Sequence, residues 1–239
     1  MSHPLDGARL KVVRAQEHLR VLKRKIFRYL KTDMHTVTRI QNDAGGWGVD
    51  AKIVQEPNPC FSAIIGDCLS NSRAALDYIA WEVAGTYFTE RALDPRKDKI
   101  YFPIRITPKE CKERLDGLRK YKIPDTVLAE IAAVQPYNAG YRPLWILSEL
   151  VNADKHRLPI VVRGDFHIIS PSVSRLAPSG KFPPEPAWIR HEDPQVKAQA
   201  SVYVAWEDVS MPREPVERTL TDIVELVANI VPRFDRFCI

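Results

Sequence analysis

No part of this chain is a long unbroken hydrophobic run, which removes a membrane-spanning helix, needing about 20 apolar residues, from the architectures to consider. Met1 to Leu10 carries neither a basic n-region nor an apolar h-region, so no secretory signal is read there and a cytoplasmic protein is expected. Cysteine is scarce and scattered. Cys60, Cys68, Cys111 and Cys238 form no Cys-x-x-Cys pair and have no adjacent histidine, which signals neither a zinc site nor a disulfide framework. Also missing are the Gly-x-x-x-x-Gly-Lys-Ser/Thr loop, the Gly-x-Gly-x-x-Gly turn, the Gly-x-Ser-x-Gly elbow and the His-Glu-x-x-His helix. No metal and no cofactor is expected.

What is there is an ordinary globular composition. With 45% hydrophobic and 27% charged residues over 239 positions, the chain can bury a substantial core. The net charge of +5 is modest and partly local, in Lys23, Arg24, Lys25, Arg28 and Lys31, and again in Arg114, Arg119, Lys120 and Lys122. Such clusters attract phosphate. They equally describe a solvated helix face.

Hydrophobic periodicity predicts helices over 6–31, 64–84, from Pro124 to Val134, and 143–157, with a last one kinked near Pro232. The 64–84 stripe is the most regular: Ile65, Cys68, Leu69, Ser72, Leu76, Ile79 and Val83, with Gly85 expected to terminate it. Thr107-Pro108-Lys109-Glu110 combines an N-cap, a proline at the first helical position and an acid at the third, a helix start. Alternation over His35–Ile40 and Gly48–Val54 around Asp43-Ala44-Gly45-Gly46 predicts a hairpin, and Ile160–Ile169 and Ser201–Trp206 read as further strands. Six prolines between Pro171 and Pro194 read as a long exposed loop. The expected class is therefore a single α+β domain over 1–239: five to six helices, a small antiparallel β-sheet and a proline-rich loop. The apolar C-terminal helix offers a surface for a homodimer.

At about 100° per residue, Asp154 falls at the centre of the apolar stripe of helix 143–157, while Trp145, Glu149, Asn152 and His156 share the opposite face. A carboxylate in an apolar stripe needs a partner. Arg73, at the margin of the packed face of helix 64–84, is the candidate, because a guanidinium satisfies a carboxylate with two hydrogen bonds. The spacing also permits an Arg73–Asp77 pair, and Asp67, Asn71 and Tyr78 share another face. Lys155, His156 and Arg157 sit where the helix macrodipole favours cations. These two helices are the expected address of any site.

Ile65-Gly66-Asp67-Cys68-Leu69-Ser70-Asn71-Ser72-Arg73-Ala74-Ala75-Leu76-Asp77-Tyr78-Ile79-Ala80-Trp81 resembles a helix recurring in a family of uncharacterised bacterial proteins. The likeness continues through Phe102-Pro103-Ile104, Gln135-Pro136-Tyr137, Pro143-Leu144-Trp145 and Asn152-Ala153-Asp154-Lys155-His156-Arg157-Leu158, and covers about residues 6–165. It implies no reaction. A more distant likeness is to HEPN-type helical proteins, many of them ribonucleases with an Arg-x-x-x-x-His helix. Tyr78 stands where that histidine falls, so the motif is broken, and His156 would substitute for it. The resemblance then implies His156 as general acid or base on a ribose hydroxyl and Arg73 as stabiliser of the phosphorane, with RNA as partner. Two other readings stand beside it. One is a noncatalytic scaffold whose polar cluster fixes helix register; the other is a small-molecule binder with Trp145 and Tyr137 lining a pocket.

Overall fold

The computed structural model describes residues 3–33, 35–41, 47–94, 98–156, 162–169, 187–189, 199–206 and 214–238. Six α-helices run in the order α1 (Asp6–Tyr29), α2 (Cys60–Tyr87), α3 (Pro108–Asp116), α4 (Asp125–Ala133), α5 (Arg142–His156) and α6 (Val216–Ile230). The expected α+β class, a helical core carrying a small antiparallel sheet, is overturned: the protein is mostly helical. The chain divides into two compact units, one of residues 1–22, 62–160 and 217–239, the other of residues 23–61 and 161–216. Among the described residues no strand lies in the first unit. The physical reason is that the helix stripes are wide enough to bury one another, so no sheet face is needed to complete that core.

In this helical unit the α2 stripe is used along its whole length. Ile65, Cys68, Leu69, Ser72, Leu76, Ile79 and Val83 are all buried, as are Leu144 and Leu147 of α5 and Leu220 and Ile223 of α6. The α6 face offered for a homodimer is thus filled within the chain itself. Phe102 and Phe234 meet edge to face with ring centres 6.0 Å apart, a geometry that adds to their burial. Near Pro232, where the sequence predicts a kink, α6 instead ends: the chain tightens into a 3-10 helix at Val231–Phe237, since proline cannot supply the next helical N–H. Gly85 does not end α2, which continues to Tyr87. At the other end Asn58 caps it, its side-chain oxygen accepting from the Cys60 amide at 2.9 Å. Thr107 does what its spacing predicts, accepting from the Glu110 amide at 3.3 Å with Pro108 in the first turn.

The second unit holds the extended segments. β1 (His35–Gln41) pairs antiparallel with β2 (Trp47–Ile53), and β2 with the short β4 (Ala187–Ile189). β3 (Val162–Ile169) pairs with β5 (Gln199–Trp206). The proline-rich stretch from Pro171 to Pro194 lies outside the described residues except for β4. Within the same unit the Tyr29 hydroxyl donates to the Gln55 carbonyl at 2.6 Å, and its ring meets Phe61 edge-on.

Candidate functional site

The helical unit has an irregular segment, Phe102–Arg105, with no strand partner, and its backbone polar groups must be satisfied some other way. Side chains do it. Asp77 on α2 accepts from the Phe102 amide at 3.0 Å, and Arg73 donates to the Phe102 carbonyl at 2.8 Å. Gln135, just past α4 and fully buried, donates to the Pro103 carbonyl at 2.9 Å and accepts from the Arg105 amide at 2.8 Å. It also donates to the Ile131 carbonyl at 3.0 Å. Asp77 in turn grips Arg73 with two hydrogen bonds, to Nη2 at 2.7 Å and Nε at 3.2 Å. Charge-assisted and bidentate, these fix the guanidinium plane.

The clamped segment is one wall of a groove. Two adjoining cavities of about 340 and 570 Å³ share Ile104, Arg105, Arg114, Ser148 and Asn152. Arg73, Asp77 and the exposed Tyr101 line the first; Glu110, Glu113, Trp145 and Glu149 line the second. Neither Arg105 nor Arg114 is paired with a carboxylate among the described residues; Arg105 donates only to the neighbouring Ile104 carbonyl, at 2.8 Å. The groove therefore offers two guanidinium groups not held by a carboxylate, Tyr101 in one cavity and Trp145 in the other, two neutral polar side chains, and three glutamates in the larger cavity's lining.

The expected cluster is split by α2. Arg73, Asp77, Trp145, Glu149 and Asn152 come together at the groove, as the α5 helical wheel predicts for its outer face. Asn71 and Tyr78 do not. Asn71 donates to the Asp67 carbonyl at 2.8 Å and accepts from Lys11 of α1 at 3.5 Å. Tyr78 lies over Gly7 of α1, so close that a Cβ added there would stand 2.8 Å from its ring. Tyr78 thus occupies the α1 side of α2, away from Arg73. The side chains of Asp154, Lys155 and His156, and all of Arg157, lie outside the described residues, so the proposed Arg73–Asp154 pair does too; the described partner of Arg73 is Asp77. Tyr137 lines a different cavity, between α3 and α4, and does not share a pocket with Trp145. Burial and its neighbour Cys111 push the Tyr137 hydroxyl up to about 12, which keeps it neutral.

Sequence reasoning missed Arg105 and Gln135 and took Arg114 for a solvated cation. Gln135 had a signal: with Leu128 and Ile131 it continues a buried stripe at three- and four-residue spacing, a polar group on an apolar face.

No family model matches this chain, and no curated protein or solved structure matches it. The groove must therefore speak through its own chemistry. Among the described residues no group of three or more His, Cys, Asp or Glu could hold a metal ion, and no helix is long and apolar enough to cross a membrane. The thiols are poor nucleophiles where their state is resolved: burial lifts Cys68 to about 12 and Cys238 to about 11.

Proposed function

We propose that the groove binds a ligand combining a planar ring with a phosphate, that is, a nucleotide, taken either free or as one unit of a single RNA strand. The observation that carries this reading is that Arg105 and Arg114, neither held by a carboxylate, line the same cavity as the half-buried Trp145. Guanidinium groups bind phosphate through paired donors, and an indole face stacks on a base. The combined cavities have the size of small-molecule sites. Glu110, Glu113 and Glu149 line the same cavity and oppose a polyanion, which favours a ligand with a single phosphate.

RNA cleavage by Arg73 and His156 is a second reading, favoured by Arg73 lining the same groove. It asks Arg73 to act through Nη1, since Asp77 and the Phe102 carbonyl occupy Nε and Nη2.

Calorimetric titration with adenosine monophosphate and with a short oligoribonucleotide tests the site. Arg114→Ala or Trp145→Ala should weaken binding about tenfold, the worth of one charge-assisted hydrogen bond or one stacked base. Unchanged affinity in both variants would reject the groove as the site. Cleavage is tested separately, by comparing RNA degradation in wild type and His156→Ala; equal rates exclude that reading and leave binding standing.

A further inference from the structure

The other side of α2 carries a second charged cleft. Lys11, Arg14 and His18 stand at i, i+3 and i+7 of α1, on one helix face, and line a cavity of about 500 Å³ with Leu10, Asp67 and Asn71. Its two fixed cations, Lys11 and Arg14, are incompletely satisfied. The Lys11 ammonium, which has three donors, makes a single contact at 3.5 Å with the Asn71 oxygen. Arg14 commits one nitrogen to Glu17 on its own helix, at 2.8 Å. His18 is 3.9 Å from Asp67, beyond hydrogen-bond reach. Lys11 and Arg14, one turn apart, repel each other; Glu17 takes up one Arg14 nitrogen, and among the described residues no hydrogen bond joins Asp67 to either cation. An anion seated between them would relieve the repulsion and take up the idle donors.

We infer that this cleft is a binding site for a phosphate-bearing anion, separate from the groove on the Arg73 side. Lys11 and Arg14 supply the charge, Asn71 the neutral polar contact, and the exposed Leu10 an apolar side chain in the lining. Asp67 opposes the anion and sets a ceiling on its affinity. The same phosphate chemistry could come from a free phosphorylated molecule or from a nucleic-acid backbone.

The test is calorimetric titration of the full chain with pyrophosphate at neutral pH and low salt. In Lys11→Ala/Arg14→Ala the affinity should fall at least tenfold, while Asp67→Asn should raise it severalfold by removing the opposing charge. Arg105→Ala/Arg114→Ala, in the groove, should leave this binding event within twofold of wild type. All the changed side chains are at least partly exposed, and circular dichroism verifies that each variant is folded. Wild-type affinity in the Lys11/Arg14 variant overturns the site, as does no binding at all or a loss confined to the Arg105/Arg114 variant. Competition with a short oligouridylate then names the source: displacement by pyrophosphate assigns the cleft to a nucleic-acid backbone, and independent binding assigns it to a free phosphorylated molecule.

Discussion

The two sides of α2 are built to opposite rules. On the Arg73 side, Arg73 and Asp77, together with the buried Gln135, lock an irregular segment by hydrogen bonds, mostly at 2.7–3.0 Å. On the Asn71 side the polar contacts between α1 and α2 are long, 3.5 Å from Lys11 to Asn71 and 3.9 Å from His18 to Asp67, and Tyr78 lies on a glycine. The lesson is that a loop wall needs the same hydrogen-bond completeness as a strand, whereas a helix–helix seam tolerates loosely held polar groups because water reaches them.

Removing Gln135 should break this contrast most. Gln135→Leu leaves the Pro103 carbonyl and Arg105 amide without partners in a buried place, costing about 3 kcal/mol. That corresponds to a fall in melting temperature of roughly 10 °C for a chain of this size. The groove arginine Arg105 would lose its anchored backbone with it, so nucleotide binding should weaken in the same variant. A loss below about 1 kcal/mol in chemical denaturation would mean that the segment holds itself.

Next in size is a paired comparison on α2. Asp77→Ala strips the Phe102 amide and a guanidinium that is mostly shielded from water, and should cost about 2 kcal/mol. Asn71→Ala, two turns back on the other face, should cost within about 0.5 kcal/mol. Equal losses in urea denaturation would erase the distinction between the faces.

The difference also explains what could be read in advance. The helix stripes were legible because burial imposes a period of 3.6 residues on the sequence, and the α2 stripe is buried at each of its positions. The Arg73–Asp77 pair was legible as a spacing. The class was misjudged because alternation in His35–Ile40 and Gly48–Val54 says that a segment is extended, not whether it joins the helical core. Phe102–Arg105 has no period at all, and its partners come from residues about 25 to 32 positions away. Contacts of that range leave no local pattern, so the groove arginines were visible only as charges.

Acid separates the ionic contacts that lead into the clamped segment from the neutral ones that hold it. Upstream of the clamped segment, Asp98 takes hydrogen bonds from Arg91 at 2.7 and 2.8 Å and from the Asp94 amide at 2.9 Å. Those bonds, the Arg91 ones foremost, hold its carboxyl well below the usual range. A lowered carboxyl contributes stability above its unfolded value of about 4 and loses it as pH falls through the folded one. Melting temperature should therefore drop more steeply below about pH 4 in wild type than in Asp98→Asn. Arg91 is half exposed, so the effect is small, and Gln135, which does not titrate, should leave its share of the wall intact. Parallel pH curves would show that Asp98 contributes nothing to the difference.

The smallest expected effect lies on the loose face, and its sign is what informs. A glycine in a helix ordinarily gains from replacement by alanine, by up to about 1 kcal/mol and less in the first turn. At Gly7 the added methyl would meet the Tyr78 ring at 2.8 Å, which no ordinary contact allows. Tyr78 is 42% exposed, so its ring can swing outward instead of straining the helix. Gly7→Ala alone should cost about 0.5 kcal/mol, because the ring loses its seat on α1. In a Tyr78→Ala background the same substitution should stabilise by a few tenths of a kcal/mol, since only helix propensity remains. A coupling of about 1 kcal/mol in that double-mutant cycle places the Tyr78 ring on Gly7 in solution. Zero coupling would put it elsewhere, and would reopen the question of whether Tyr78 can turn toward Arg73.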